Sequence, residues 1–264
     1  TETVKLRHKA PIKTDEQKER ELEESILEAQ TKKKKLLANK ELANEIIYTD
    51  SLRTSWEAPK CLRDRGQSYF RKVRQDWHII IEGEDVPPPC RTFEELKIPK
   101  SIQDMLLKKN IINPSPIQVQ GLPVALSGRD MIGIASTGSG KTLVFTLPVV
   151  IAALEAELRL PFIKGEGPYG IILGPSRELT KQTYTIIESM FESLYNSGKY
   201  PRLRTLLCMG GIDMREQYDV LNKGVHVVVA TPGRLNDLLE RGKISLRNIK
   251  YFVLTILFVV HANF

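Results

Sequence analysis

The chain from residue 92 onward alternates short apolar runs with longer helical stretches, and this alternation is the strongest constraint on its fold. Four runs have the length and composition of strands buried on both faces: Met131–Ala135, Gly170–Leu173, Leu203–Cys208 and Val225–Ala230. Three later stretches have helical patterns: Thr142–Leu158, Glu178–Ser197 and Met214–Lys223. Strands that alternate with helices pair in parallel, so the sequence predicts an α/β domain with a parallel sheet. Ligands of such sheets bind beyond the carboxyl ends of the strands.

A glycine-rich segment follows the first predicted strand. Residues 135–142 read Ala-Ser-Thr-Gly-Ser-Gly-Lys-Thr, which is the phosphate-loop pattern with alanine at its first position. Gly138 and Gly140 let backbone N–H groups turn toward a phosphate. Lys141 opposes the dipole at the start of a helix, so it needs a counter-anion, which a nucleotide phosphate supplies. The Thr142 hydroxyl is placed to ligate Mg²⁺.

Upstream, residues 113–118 read Asn-Pro-Ser-Pro-Ile-Gln and have two interpretations. In the structural one, Ser115 caps a helix, Pro116 takes the first helical position and Gln118 completes a capping box. In the functional one, the Gln118 amide reads an adenine edge while Phe93 packs on the base.

The composition narrows the class of protein. Hydrophobic residues make up 41% and charged residues 27%, which excludes wholesale disorder. The net charge of +7 favours a polyanionic partner such as nucleic acid. Cys61, Cys90 and Cys208 are widely spaced, as in an intracellular protein with reduced thiols. The charged N-terminus does not read as a signal peptide, and the strongly apolar run Phe252–Val260 is shorter than the roughly 20 residues of a membrane span.

The first 91 residues divide into two parts. Residues 1–46 predict a charged, largely solvated helical segment, in which Lys32–Lys35 is compatible with a nuclear import signal, a nucleic-acid contact or a solvated helix end. Residues 47–91 predict an extended connector that closes with Pro87–Pro89. Four of its aromatics are anchors on the neighbouring domain in one interpretation and base-stacking groups in another: Trp56, Tyr69, Phe70 and Trp77.

In their order, these segments resemble the DEAD-box RNA helicases. Phe93 with Pro114–Gln118 resembles the Q motif, and residues 135–142 resemble motif I. Three later segments resemble motif Ia, the GG motif and motif Ib: Pro175–Leu179, Gly210–Gly211 and Thr231–Arg234. The resemblance covers Ile47–Leu254 and is strongest to the Abstrakt-type branch, which is linked to pre-mRNA splicing. It implies a RecA-like domain over residues 92–254 and an ATP-dependent RNA-unwinding activity.

The resemblance also implies the site residues and partners. The ATP-binding set is Phe93, Gln118, Ser136, Thr137, Gly138, Ser139, Gly140, Lys141 and Thr142, with Mg²⁺ held through ATP by Thr142. The RNA-binding set is Pro175, Arg177, Gly210, Gly211, Thr231, Pro232, Gly233 and Arg234. The implied cofactors are ATP and Mg²⁺. The implied partners are RNA and, through the N-terminal segment, spliceosomal proteins in the nucleus, with no membrane partner.

Three departures from the family pattern are mild: Asn110 for Gly, Ser176 for Thr and Thr180 for Ala. A fourth is severe. In the family, the strand Tyr251–Leu254 leads into Asp-Glu-Ala-Asp, but here residues 255–264 form an apolar tail, and Glu240 is the last acidic side chain. We therefore expect an incomplete RecA-like domain that does not hydrolyse ATP. The alternatives are a non-catalytic RNA- or protein-binding isoform and an unstable truncated product.

The tail carries an expectation of its own. With the family's following elements absent, we expect one neighbour of the Tyr251–Leu254 strand to be unpaired. The run Phe252–Val260 is uncharged and rich in aromatic and β-branched residues, so an exposed strand of this kind predicts aggregation. The alternative is that the tail substitutes adequately and the domain is only less stable.

Overall fold

The computed structural model describes residues 54–163 and 165–255 and the backbone of 259–261. The predicted helical segment over residues 1–46 lies outside the described residues. Within them, six strands form one sheet: β1 Met131–Ile132, β2 Gly170–Leu173, β3 Thr205–Cys208, β4 Val227–Ala230, β5 Tyr251–Leu254 and β6 Val259–His261. Their order is β1-β6-β5-β2-β4-β3, and the four strands β5, β2, β4 and β3 are parallel.

The register of the parallel strands brings their carboxyl ends level. Leu173 pairs with Leu254 on one side and with Ala230 on the other, and Ala230 pairs with Cys208. The residues that follow β2, β3, β4 and β5 therefore emerge along one edge of the sheet.

Eight helices are present in the described part of the chain: α1 Lys60–Arg63, α2 Gln67–Asp76, α3 Lys100–Lys108, α4 Pro116–Leu126, α5 Lys141–Arg159, α6 Arg177–Asn196, α7 Met214–Asn222 and α8 Pro232–Glu240. The three predicted helices are confirmed as α5, α6 and α7, each within one residue at both ends. The predicted strand Gly170–Leu173 is confirmed with its bounds, and the other three predicted strands are confirmed with shorter bounds. Helix α3 ends before Asn110, whose φ of 60° is the left-handed conformation that asparagine tolerates.

Two apolar cores cover the two faces of the sheet. In β2, Ile172 packs in the core with α4, α5 and α6, and the adjacent Ile171 packs in the core with α7 and α8. Successive residues of a strand point to opposite faces, so this division means that β2 is buried on both sides. The prediction of an α/β domain with a parallel sheet of strands buried on both faces is thereby confirmed. No helix among the described residues is long and apolar enough to cross a membrane.

The segment before residue 92 packs on this domain. The Thr54 hydroxyl donates to the Leu126 carbonyl at 2.6 Å, and the indole Nε1 of Trp56 donates to the Leu96 carbonyl at 2.8 Å. The interpretation of the aromatics as anchors is confirmed for Trp56 and for Phe70, which is 6% exposed. The expectation of an extended connector is wrong over α1 and α2. The sequence does not reveal α2, because Arg74 is part of its buried face and charged residues surround that face.

The apolar tail also departs from its prediction. The chain turns at Thr255 and returns as β6, which pairs antiparallel with β5 through Val253 and Val260 and with β1 through Met131 and Val260. The expectation of an unpaired neighbour of β5 is wrong over these residues, since the backbone of β6 supplies the missing partners. The predicted tendency to aggregate stays a prediction.

Candidate functional site

The start of α5 has the properties of an anion-binding site. Gly140 precedes the helix in a left-handed conformation with φ of 87°, no side chain caps the helix, and its first turn has no acidic residue. The first N–H groups of a helix have no partner within the helix, and the helix dipole places positive charge there. A phosphate would satisfy both features.

Lys141 bonds to the loop itself in this structure. Its Nζ donates to the carbonyl of Ser136 at 2.8 Å and also to the carbonyl of Ala135. These carbonyl oxygens compensate the ammonium charge within the loop. A nucleotide phosphate that binds here therefore has to replace Lys141 contacts that the protein already makes.

Gln118 connects α4 to the same loop. Its Oε1 accepts from the Ser115 N–H at 3.0 Å, as the predicted capping box requires, and its Nε2 donates to the Gly140 carbonyl at 3.0 Å. The Ser115 hydroxyl donates to the Ser139 carbonyl at 2.6 Å. A Cβ on Gly140 would lie only 2.3 Å from the Gln118 Nε2, so this contact requires glycine there.

The two base-binding residues stay predictions. The Gln118 side chain is 5% exposed with both ends of its amide bonded, and Phe93 is 6% exposed within the apolar core. In this conformation Gln118 holds the loop that would contact phosphates. A direct contact of either residue with adenine would require some rearrangement.

The remaining loop residues fit a nucleotide with Mg²⁺. Ser136, Thr137 and Gly138 are exposed, and the Ser139 hydroxyl is buried with no hydrogen-bond partner among the described residues. The described residues contain no cluster of His, Cys, Asp or Glu side chains that could hold a metal. When bound, Mg²⁺ would be held by the nucleotide phosphates and the Thr142 hydroxyl. When both are bound, the nucleotide supplies the transferable phosphoryl group and Mg²⁺ neutralises its charge.

A second cluster lies where β2 and β3 end. The guanidinium of Arg177, at the start of α6, lies against two glycines that follow β3. A Cβ on Gly210 would be 3.1 Å from its Nη2, and a Cβ on Gly211 would be 3.5 Å from its Nη1. Gly211 also has a φ of 90°, which favours glycine. The structure thus brings together an exposed cation and a glycine turn that are more than 30 residues apart in the sequence.

Thr180, one of the three mild departures from the family pattern, fixes the turn that presents Arg177. The Thr180 hydroxyl donates to the Ser176 carbonyl at 2.7 Å, and Ser176 caps α6 by accepting from the Leu179 N–H at 3.2 Å. A Cβ on Gly174 would lie 2.4 Å from the Thr180 Oγ1. Gly174 and Thr180 were not among the predicted site residues, because only the packing of the turn shows their contact.

The segment that follows β4, Thr231–Arg234, lies at the same edge of the sheet as Arg177 and the two glycines. The Thr231 N–H donates to the Cys208 carbonyl at 2.9 Å, and Pro232 begins α8. Arg234 Nε is 3.9 Å from Asp237 Oδ2, while its Nη1 is buried without a hydrogen-bond partner in the described structure. Burial raises the pKa of the neighbouring Cys208 thiol to about 12, so this thiol is protonated at neutral pH.

All eight predicted RNA-binding residues therefore follow β2, β3 or β4 at one edge of the sheet. Pro175, Arg177, Gly211, Pro232 and Gly233 are exposed there. An exposed guanidinium beside glycine turns and helix N-termini can bind the phosphates and 2′-hydroxyls of an RNA strand. Contacts of this kind position a strand without reading its bases.

The residue that follows β5 at this edge is uncharged. The N–H and the hydroxyl of Thr255 each donate to the Leu173 carbonyl at 3.0 Å. Hydrolysis of a nucleotide in such a site uses a carboxylate near Mg²⁺ and a group that orients the attacking water. Thr255 cannot supply a carboxylate.

The sheet is largely parallel and has a phosphate loop beyond one strand. Beyond the other strands it has a cation and glycine turns. This combination is typical of the class of nucleotide-binding helicase domains. The chain belongs to the DEAD/DEAH box helicase family, which it matches over residues 115–255.

Curated relatives and solved structures agree with this assignment. The chain is 56% identical over 240 residues to the probable ATP-dependent RNA helicase ddx41 of Dictyostelium discoideum, covering 90% of this chain and 36% of that protein. It is 47% identical over 251 residues to the ATP-dependent RNA helicase abstrakt of Drosophila melanogaster, covering 95% and 40%. The crystal structure of the yeast DEAD-box splicing factor Prp28 matches with a TM-score of 0.65 and 30% identity, covering 73% of this chain and 44% of that one. The chain thus spans less than half of these proteins.

Proposed function

We propose that this domain binds ATP or ADP together with Mg²⁺ at the loop between β1 and α5. The observation that carries the proposal is Lys141, which lies at a helix start that no acidic residue accompanies and no side chain caps. A cation in this position is stabilised by a bound phosphate. The buried, unpartnered Ser139 hydroxyl supports the same assignment.

Titration of a fluorescent ADP in the presence of Mg²⁺ tests this proposal. Lys141→Ala should abolish saturable binding, because the residue loses its phosphate contact. Lys181→Ala on α6 is the matched control, since it removes an exposed lysine elsewhere and should bind like the original chain. Equal affinity of the original chain and Lys141→Ala would refute the assignment.

We further propose that a strand of RNA binds across the ends of β2, β4 and β3. Arg177 and the turns at Gly210–Gly211 and Thr231–Arg234 support this placement, because they offer a cation and backbone N–H groups at one exposed edge. In the whole protein, the nucleotide and RNA sites would serve ATP-dependent RNA unwinding. A role in pre-mRNA splicing, a nuclear location and spliceosomal partners of the N-terminal segment belong to the same proposal. The resemblance to a splicing factor supports them.

A second candidate function is nucleotide and RNA binding without turnover. Thr255 favours it, because it stands where the hydrolytic carboxylate is needed. The polypeptide described here should release no phosphate above its Lys141→Ala variant, with or without RNA. RNA-stimulated phosphate release that disappears in Lys141→Ala would contradict this candidate and would leave the binding proposal intact.

A further inference from the structure

Helix α2 lies outside both proposed binding regions and is held firmly on the domain. Phe70, Val73 and Arg74 form its buried face. The guanidinium of Arg74 donates to Gln120 Oε1 at 2.9 Å and to the Pro87 carbonyl at 3.3 Å. The neighbouring face of α2, which shares Val73 with the buried face, is therefore presented to its surroundings in a fixed orientation.

That face borders a concavity of about 400 Å³. Its lining combines two aromatic rings, two cations, one carboxylate and one apolar side chain: Tyr69, Trp77, Lys72, Arg91, Asp76 and Val73. The two rings are partly exposed, and the three charged side chains are exposed. In addition, the guanidinium of Arg65 lies 4.2 Å from the centre of the Tyr69 ring, which adds a third cation beside the concavity.

We propose that this concavity is an accessory site for single-stranded RNA. One base stacks on Tyr69 and another on Trp77, and Lys72 and Arg91 contact the phosphates. Aromatic rings interleaved with cations are the usual chemistry of single-strand binding, since every base offers a face for stacking. Asp76 can accept from the exocyclic amino group of a base that turns toward it.

The spacing of the rings favours a strand over a free nucleotide. Tyr69 and Trp77 are eight residues apart, which at about 1.5 Å per residue separates them by roughly 12 Å along the helix. One base cannot stack on both rings across this distance, whereas two bases a few nucleotides apart in one strand can. The net charge around the concavity also favours the phosphates of a strand, because the three cations Arg65, Lys72 and Arg91 outnumber the single carboxylate of Asp76.

Photo-crosslinking of a short thiouridine-labelled oligoribonucleotide to the chain tests the site. The expected crosslinked peptides contain Tyr69 or Trp77. In anisotropy titrations, the Tyr69→Ala/Trp77→Ala variant should bind the RNA at least roughly thirtyfold more weakly, because stacking on two rings is lost. Tyr195→Ala is the matched control, since Tyr195 is also an exposed ring beside an arginine, Arg202, but lies on α6. It should bind RNA like the original chain.

The charges give a second readout. Lys72→Gln/Arg91→Gln should flatten the dependence of RNA affinity on salt by about 0.7 in logarithmic slope for each lost phosphate contact. An unchanged slope, no crosslink at either ring, or crosslinks that ADP or an oligoglutamate peptide displaces would overturn the inference. Thermal melting of each variant shows whether it remains folded, and Tyr69→Phe, which keeps the ring, should retain affinity.

This inference rests on the proposed binding of RNA, and the Arg177→Ala variant separates the two. If Arg177→Ala binds RNA normally while Tyr69→Ala/Trp77→Ala does not, the path across the strand ends fails and the accessory site stands. If Arg177→Ala weakens binding and the ring variant does not, the accessory site is wrong.

Discussion

The Gln118 amide donates to the carbonyl of Gly140, the last residue before the helix that starts at Lys141. One side chain thereby joins the capped start of α4 to the phosphate loop. If a nucleotide binds at the loop as proposed, we expect its binding to be coupled to the position of α4 through this hydrogen bond.

Gln118→Ala distinguishes a positioning role from direct adenine recognition. If Gln118 positions the loop, the variant should lose affinity for ADP and for pyrophosphate by the same factor, because both ligands need the same loop. Fluorescence competition titrations measure the two affinities. Loss of ADP affinity with unchanged pyrophosphate affinity would instead assign Gln118 to the base. The free energy of unfolding of the variant should also be lower by about 1–2 kcal/mol, since both hydrogen bonds of the Gln118 side chain are lost.

The two loop glycines should differ in their tolerance of alanine. Both have positive φ, 75° at Gly138 and 87° at Gly140, so each substitution costs roughly 1–2 kcal/mol in backbone strain. A Cβ at Gly138 meets nothing within 4 Å, whereas at Gly140 it would clash with Gln118. Chemical denaturation should therefore show Gly140→Ala to be clearly less stable than Gly138→Ala. Equal stability would contradict the described contact.

Gly174 and Thr180 should show coupled effects. Gly174→Ala places a methyl group 2.4 Å from the Thr180 hydroxyl, and Thr180→Ala removes that atom at the expense of one buried hydrogen bond. The loss of unfolding free energy in the double variant should be smaller than the sum of the two single losses by about 1 kcal/mol. Denaturant titrations of the four proteins measure this difference. Additive effects would show that the two residues do not touch.

The stability of the domain should fall in mild acid because of His226. Its Nδ1 accepts from the Arg204 N–H at 3.1 Å, so the neutral ring presents Nε2–H to Glu157 at 3.0 Å. Burial lowers the pKa of His226 below its usual 6.5, although Glu157 acts to raise it. The unfolded chain therefore binds the proton more readily, and this contribution to stability is full above about pH 6.5 and is lost as the pH falls below it.

Unfolding free energies measured between neutral and mildly acidic pH test this dependence. His226→Asn should show a weaker fall with acid than the original chain. His78→Asn is the control, because His78 is exposed and asparagine tolerates its positive φ of 52°. An identical pH dependence in the original chain and His226→Asn would contradict the assignment.

Much of the fold can be predicted from the sequence, because the patterns that indicate it involve residues close together in the chain. The cap at Ser115 and the helix from Lys141 follow from residues that are adjacent in the sequence. The helix at Gln67–Asp76 was missed because an arginine is part of its buried face, and the contact of Thr180 with Gly174 depends on tertiary packing. The return of the tail as β6 depends on strand pairing, which local composition does not determine.

The central claim is that one sheet edge binds a nucleotide beyond β1 and an RNA strand beyond β2, β4 and β3. Hydrogen exchange of the chain, measured alone, with Mg-ADP and with a single-stranded RNA, tests both halves in one experiment. Mg-ADP should protect the amides of residues 136–144. RNA should protect those of residues 174–178, 209–212 and 231–234. If either ligand leaves hydrogen exchange unchanged in the segments assigned to it, the account is contradicted.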